Sequence, residues 1–171
     1  MFKSYAFVLS VAAIGAASAQ TTPSPQPTSP PVPSVASDTM SDQAFVQKAS
    51  AAGLAEVRDA QKALQMAQRD DVRRAAQQLL SDHQAANAKL KTLAEKKNLP
   101  LSTSPAPAPP APTAGDFDSH YVSAQVKAHQ AAVALFKSEV DGGRDNDLKG
   151  FAAETLPTLQ KHLTMMESLN K

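Results

Sequence analysis

From residue 41 onward, apolar and small residues recur every three or four positions in four long runs, the spacing of one buried helical face. The first run is Phe45, Ala49, Ala52, Glu56, Ala60, Leu64 and Ala67. It predicts a helix capped by Ser41 or Asp42 and ending near Ala67. After Gln68-Arg69-Asp70, where Asp70 or Asp71 can cap, a second helix carries Val72, Ala76, Leu79, His83, Ala86, Leu90 and Leu93 to about Lys97. The third carries Val122, Val126, His129, Val133, Phe136 and Val140. A second row beside it, Phe117, Tyr121, Ala124, Ala128, Ala131 and Leu135, makes that helix apolar over a wide face. Thr113 and Asp116 stand at capping-box spacing before it, and Asp141-Gly142-Gly143 ends it. Asp145 can cap the fourth helix, whose stripe is Leu148, Ala152, Thr155, Leu159, His162, Met166 and Leu169. Pro157 removes one backbone donor there and predicts a kink about one turn upstream. No useful strand-like alternation occurs. The expected class is all-α, a four-helix bundle of two helical hairpins.

Proline marks the connections. Of 13 prolines, six lie from Pro23 to Pro33 and six from Pro100 to Pro112. Both stretches are rich in Pro, Ser, Thr and Ala and predict extended, polyproline-like spacers without a core of their own. Before them, Lys3 opens the chain with a positive charge, Tyr5 to Gly15 is apolar, and Ala17-Ser18-Ala19 has the form of a cleavage site. That is the pattern of a secretory signal peptide, and its apolar run falls short of the ~20 residues needed to span a bilayer. The expected division is a signal peptide over 1–19, a leader over 20–40 and a bundle domain over 41–171, with an interhairpin linker at 98–114. No segment after residue 20 is apolar enough to cross a membrane, so the expected location is the periplasm or cell envelope.

Charge and composition exclude several chemistries. The chain has 17 Lys+Arg against 16 Asp+Glu, and loss of Lys3 with the signal peptide leaves the two signs equal. With two tyrosines and no tryptophan besides, neither an electrostatic footprint nor a stacking surface for nucleic acid is present. The absence of cysteine excludes disulfides, thiolate metal sites and a lipoprotein attachment thiol. No nucleophile elbow, phosphate-binding glycine loop or H-E-x-x-H motif occurs.

What remains is an oddity shared by all four helices: each places one ionisable residue on its core-facing stripe, Glu56, His83, His129 and His162. At 1.5 Å per residue, Glu56 and His83 lie about 16 and 20 Å from their shared turn, close enough to meet. His129 and His162 lie about 16 and 25 Å from theirs, a poorer match. Buried polar groups need partners, and four at one depth could serve one another as a hydrogen-bonded core network. Three imidazoles and a carboxylate would also suit one transition metal ion, Zn, Fe, Cu or Ni. Asp82, next to His83, is a candidate outer acceptor. His120 is expected to be solvated, and Met165-Met166 to be core filling rather than a copper site.

The segments FVQKASAAGLAEVRDAQKAL, LLSDHQAANAKLKTLAEKKNLPL, YVSAQVKAHQAAVALFKSEVDGG and LKGFAAETLPTLQKHLTMM resemble the bacterial domain-of-unknown-function family 4142, over residues from about 42 to 169. Members are often labelled as outer-membrane proteins. The resemblance rests on Glu56, Asp82-His83, His129 and the Thr155-Leu156-Pro157 run with His162. It implies a ferritin-like four-helix fold and no established activity. Two departures stand out: Ala128 replaces the Asp usual before the third-helix histidine, and the connection between hairpins is shorter. In polyproline geometry that connection still reaches along a bundle, so crossover and up-down topologies are both open; the resemblance favours the crossover. Leu80 and Leu159 stand where a di-iron bundle would need Glu, which counts against ferroxidase chemistry.

From sequence, the leading expectation is a non-enzymatic envelope protein, with stress tolerance as one role, whose polar layer is architectural. The alternative is a periplasmic transition-metal-binding protein using Glu56, His83, His129 and His162. A ferritin-like metalloenzyme is the third.

Overall fold

A computed structural model describes residues 41–109 and 117–171, which fall within one compact unit. The signal peptide, the leader and the Thr113–Asp116 capping box lie outside the described residues. Four helices follow in order: α1 (Asp42–Met66), α2 (Asp70–Lys96), α3 (Phe117–Gly142) and α4 (Asn146–Leu169). Among the described residues no helix is long and apolar enough to cross a membrane.

The ends obey local chemistry with one exception. Ser41 caps α1 through its hydroxyl, which accepts from Ala44 N at 3.2 Å. Asp145 caps α4, accepting from Asp147 N and Leu148 N at 3.0 Å each. At α2, however, neither Asp70 nor Asp71 is the cap; both lie in the first turn, and the cap residue is Arg69. The capping role passes to another helix. The carboxylate of Asp118 on α3, almost fully buried, accepts from Gln68 N at 3.0 Å and Arg69 N at 2.7 Å. A charged acceptor aimed at orphaned amides is worth more than a local cap because it also ties two hairpins together. The C-terminus of α2 closes as a Schellman turn, with Asn98 at φ 52° and Leu99 N donating to Ala94 O at 2.9 Å. Asparagine tolerates that left-handed conformation better than most side chains.

α1 packs against α2 and α3, and α4 against α3 and α2. The directions follow from the contacts at each end. Phe45, at the start of α1, meets Phe136 late in α3 at 5.2 Å between ring centroids. Asp118, at the start of α3, reaches the end of α1. Lys97, just past α2, pairs with Asp145 and Asp147 at the start of α4, at 2.6 and 2.9 Å. Thus α3 runs antiparallel to α1 and parallel to α2, which requires the connection to travel the length of the bundle. It does so along α1. Ser102 N donates to Ser50 Oγ at 2.8 Å, Ala106 N to Ala51 O at 2.9 Å, and the Arg58 guanidinium to Ala106 O at 3.0 Å. The linker is therefore more than a spacer. Leu99 and Leu101 pack on the core and its backbone is strapped to α1, because Ala51, Ala52 and Gly53 offer no bulk to hold it away.

Two apolar clusters fill the interior, one at each end. The first joins Phe45, Phe136 and Phe151 to Val46, Leu90, Leu148 and Leu159. The second is built on Ala60, Ala63, Ala67, Ala75 and Ala76, with Val72, Leu79, Tyr121, Val122 and Met166. Burying each large side chain stabilises by roughly 1.5–3 kcal/mol, so the sum of many such contacts holds the bundle. Met166 and, partly, Met165 belong to the second cluster, the core-filling role expected of them. α4 continues as one helix past Pro157. Ala131 is exposed, so the apolar face of α3 is narrower than its second row suggests; that row instead gives way to buried Asp118, Gln125 and Glu139.

Candidate metal centre

The two clusters are separated by a polar layer, and each helix supplies one member: Glu56, His83, His129 and His162, all buried. The rings of His83, His129 and His162 form a near-equilateral triangle, with centroids 5.5, 5.4 and 5.3 Å apart. One ring nitrogen from each lies within 4.8 Å of the others. The poorer height match expected of His129 and His162 is absent. α3 extends to Gly142, two residues beyond Val140, and α4 begins at Asn146, which narrows the two heights to about 20 and 24 Å from the turn, a difference that side chains span.

Hydrogen bonding sets which nitrogens face inward. His129 Nδ1 lies 3.0 Å from Gln125 O, a carbonyl that can only accept, so Nδ1 carries the proton and Nε2 keeps its lone pair. His162 Nε2 lies 2.9 Å from Asp82 Oδ2, again acceptor only, which leaves the lone pair on Nδ1. That Nδ1 is buried and has no hydrogen-bond partner. His83 Nε2 stands 3.4 Å from His129 Nε2. Two imidazoles are thus oriented from behind by an acceptor, the arrangement that fixes ring and tautomer in metal-ligating histidines. Asp82 serves as an outer acceptor, but for His162 across the bundle and not for its neighbour His83, because consecutive helical residues point about 100° apart. For His129 the acceptor is a backbone carbonyl one turn back, which explains how the layer manages with Ala128 beside it.

The electrostatics follow from burial. Desolvation, with His129 and His162 nearby, pushes His83 down to about 3; desolvation pushes His129 down to about 4. Both rings are therefore neutral, as metal ligation demands. Burial pushes Glu56 up to about 8, with Asp59 adding to the shift and a hydrogen bond from Gln125 opposing it. Glu56 Oε2 is 3.9 Å from His83 Nε2, yet with a neutral acid beside a neutral ring this is no ion pair. Burial raises Asp82 too, but hydrogen bonds from Gln78 and His162 outweigh it and hold the carboxylate below its usual range. Glu56 Oε2 and Gln125 Oε1 are buried with no partner.

His120 is half-buried rather than solvated and takes no part in the cluster. Sequence reasoning missed Gln125, which positions both His129 and Glu56. Its signal was present: Val122, Gln125, His129 and Phe136 share one three-and-four spacing, but a glutamine beside an apolar row reads as solvated.

The fold and site define a class: an all-α bundle with three imidazoles gathered in its interior. The chain belongs to the family described as domain of unknown function (DUF4142), whose model matches residues 27–169. No curated protein matches it. Its fold is similar to that of CopM in the Cu(II)-bound form, with a TM-score of 0.66 and 16% identity over 76% of this chain and 95% of that one. CopM in a silver-bound form gives a TM-score of 0.64 with 18% identity, over 76% and 94%. A conserved hypothetical protein from Mycobacterium tuberculosis gives 0.65 with 12% identity, over 75% and 89%. At these identities the likeness is one of fold.

Proposed function

We propose that this is an exported metal-binding protein of the periplasm or cell envelope. A single transition ion is held by His83, His129 and His162, with Glu56 beside its fourth position and Asp82 orienting His162. One observation carries the reading: one ring nitrogen from each of three buried histidines lies within 4.8 Å of the others, and hydrogen bonding leaves a lone pair on His129 Nε2 and His162 Nδ1. Imidazole without thiolate suits Zn, Cu, Fe or Ni over the hard cations. CopM, whose fold is similar, is described in Cu(II)-, Cu(I)- and silver-bound forms, which makes copper the first ion to try. Export is supported by the Lys3, Tyr5–Gly15 and Ala17-Ser18-Ala19 pattern.

The architectural reading, favoured by sequence alone, is weakened by the bonding. A hydrogen-bonded core network should close on itself, whereas His162 Nδ1 and Glu56 Oε2 are left over. The two readings part on metal content. Protein exported and purified without chelator should hold about one transition ion per chain. The stripped protein should gain about 2.7 kcal/mol of stability at an ion concentration 100 times Kd. His129→Leu should abolish both effects while remaining helical. A metal-free wild-type protein that neither takes up nor is stabilised by Cu(II) or Zn(II) sinks the proposal. Mass spectrometry of the mature protein should place its N-terminus at Gln20.

A further inference from the structure

The polar layer is not sealed. A chamber of about 410 Å³ opens beside it, between α1 and α3, with the strapped linker segment Ala106–Pro109 forming part of its wall. Small-molecule sites span roughly 300–1,000 Å³, so the volume is that of a binding cavity rather than a packing flaw. Its construction is asymmetric. Most of the body is apolar, lined by Ala49, Leu90, Ala132, Phe136, Phe151 and Leu159, with Asp59, Asn87, Lys127 and Thr155 as its polar members. The inner end is lined by Glu56, Gln125, His83 and His129.

Two of those groups are incompletely bonded. Gln125 and Glu56 are linked by a side-chain hydrogen bond, which leaves Gln125 Oε1 and Glu56 Oε2 unpartnered. Both residues are buried, Gln125 2% and Glu56 8% exposed. Gln125 Oε1 is an amide oxygen that can only accept, buried without a donor, and an occupant that brings a donor restores the missing bond. The apolar walls in turn penalise an ionised occupant, which would lose its hydration there, while Asp59 and Lys127 in the lining carry opposite signs and offer no net counter-charge.

We infer that this chamber binds a small, uncharged, largely apolar molecule carrying one O–H or N–H donor. The donor sits on Gln125 Oε1, beside Glu56 and the imidazoles, and the apolar body lies against Phe136, Phe151 and Leu159. The inference does not depend on the metal, since walls and acceptors exist without one.

The test uses 4-ethylphenol as probe, titrated into the metal-free full chain and followed by calorimetry and amide NMR shifts. Ethylbenzene, which lacks the donor, and 4-ethylbenzoate, which is ionised, are the controls. The phenol should bind saturably, one per chain, and each control at least tenfold more weakly. Ala132→Phe, which fills the chamber, should weaken binding at least tenfold, with Ala128→Phe from the neighbouring turn as a second filling variant should the first not fold. Gln125→Leu should erase the preference for phenol over ethylbenzene. Unsaturable binding, binding unaffected by a folded filling variant, or equal binding of the benzoate overturns the inference and leaves the chamber as a water-filled recess. Copper and zinc titrations of the same samples keep the two readings apart: phenol binding without uptake of either ion sinks the metal proposal alone, and the converse sinks this one alone.

Discussion

The two ends of the bundle are built on opposite packing principles. At the end where α1 begins, three phenylalanine rings meet edge to face and tilted, with centroids 5.2 to 6.5 Å apart. At the other, alanines from α1 and α2 form the contact. Large rings hold helices apart, while alanines let backbones approach. The chamber is lined by five residues of the phenylalanine cluster, namely Ala49, Leu90, Phe136, Phe151 and Leu159, and by none of the alanine cluster. The lesson is that the histidine layer is closed from one side and approachable from the other. Gly53 marks the change of regime on α1. A Cβ there would come within 1.9 Å of Asn87 Oδ1, so the glycine admits the Asn87 amide between α1 and α2.

The contrast breaks most sharply at Phe45. It is fully buried and touches both other rings, so Phe45→Ala should cost about 3–5 kcal/mol in urea unfolding. A cost below that of an exposed substitution would show the ring cluster to be ornamental. At the alanine end the keystone is polar. Asp118→Ala strands the amides of Gln68 and Arg69 and should cost about 2–3 kcal/mol by the same measurement, with Asp118→Asn intermediate.

Enlarging an alanine tests the comparison directly. Ala76→Leu, inserted into the tight cluster, should destabilise by about 1–3 kcal/mol. Ala132→Leu, which projects onto the chamber, should cost under about 1 kcal/mol because it has room to enter. Equal costs would mean that the ends do not differ in packing.

A small effect that depends on pH is expected from Glu139, which is fully buried with both carboxylate oxygens unpartnered. Burial pushes it up to about 7; Asp42 and Asp145 add to the shift, and Lys149 opposes it. Because the folded value lies above the ordinary 4.5, its ionisation opposes folding. No penalty exists below pH 4.5; the penalty grows as pH rises toward 7 and is fully present above it. Glu139→Gln should therefore gain about 1 kcal/mol at pH 8, limited by an amide still lacking partners, and nothing below pH 4.5. A gain independent of pH would locate the effect elsewhere. It would also remove an electrostatic cost peculiar to the phenylalanine end.

Much of this was legible residue by residue. Periodicity placed all four helices to within a residue or two, and Ser41 and Asp145 announced their caps. Glu56, His83, His129 and His162 stood out because ionisable groups interrupt otherwise apolar stripes. Asp118, Gln125 and Glu139 escaped notice, since α3 carries apolar residues over so wide a face that a polar residue at its border reads as exposed. The capping of α2 escaped for a different reason. Asp70 and Asp71 offered a local solution, but the acceptor that fills the role is 49 residues from Arg69 in sequence.

Sequence by itself determined the helices, their buried stripes and the depth at which each stripe turns polar, because these depend on 3.6-residue periodicity and 1.5 Å rise. Tertiary structure alone decided the crossover, the triangle of rings, the partner of each ring nitrogen and the chamber beside them. Those follow from which helix lies beside which and how closely side-chain bulk allows them to approach, and neither distance is encoded in any one segment.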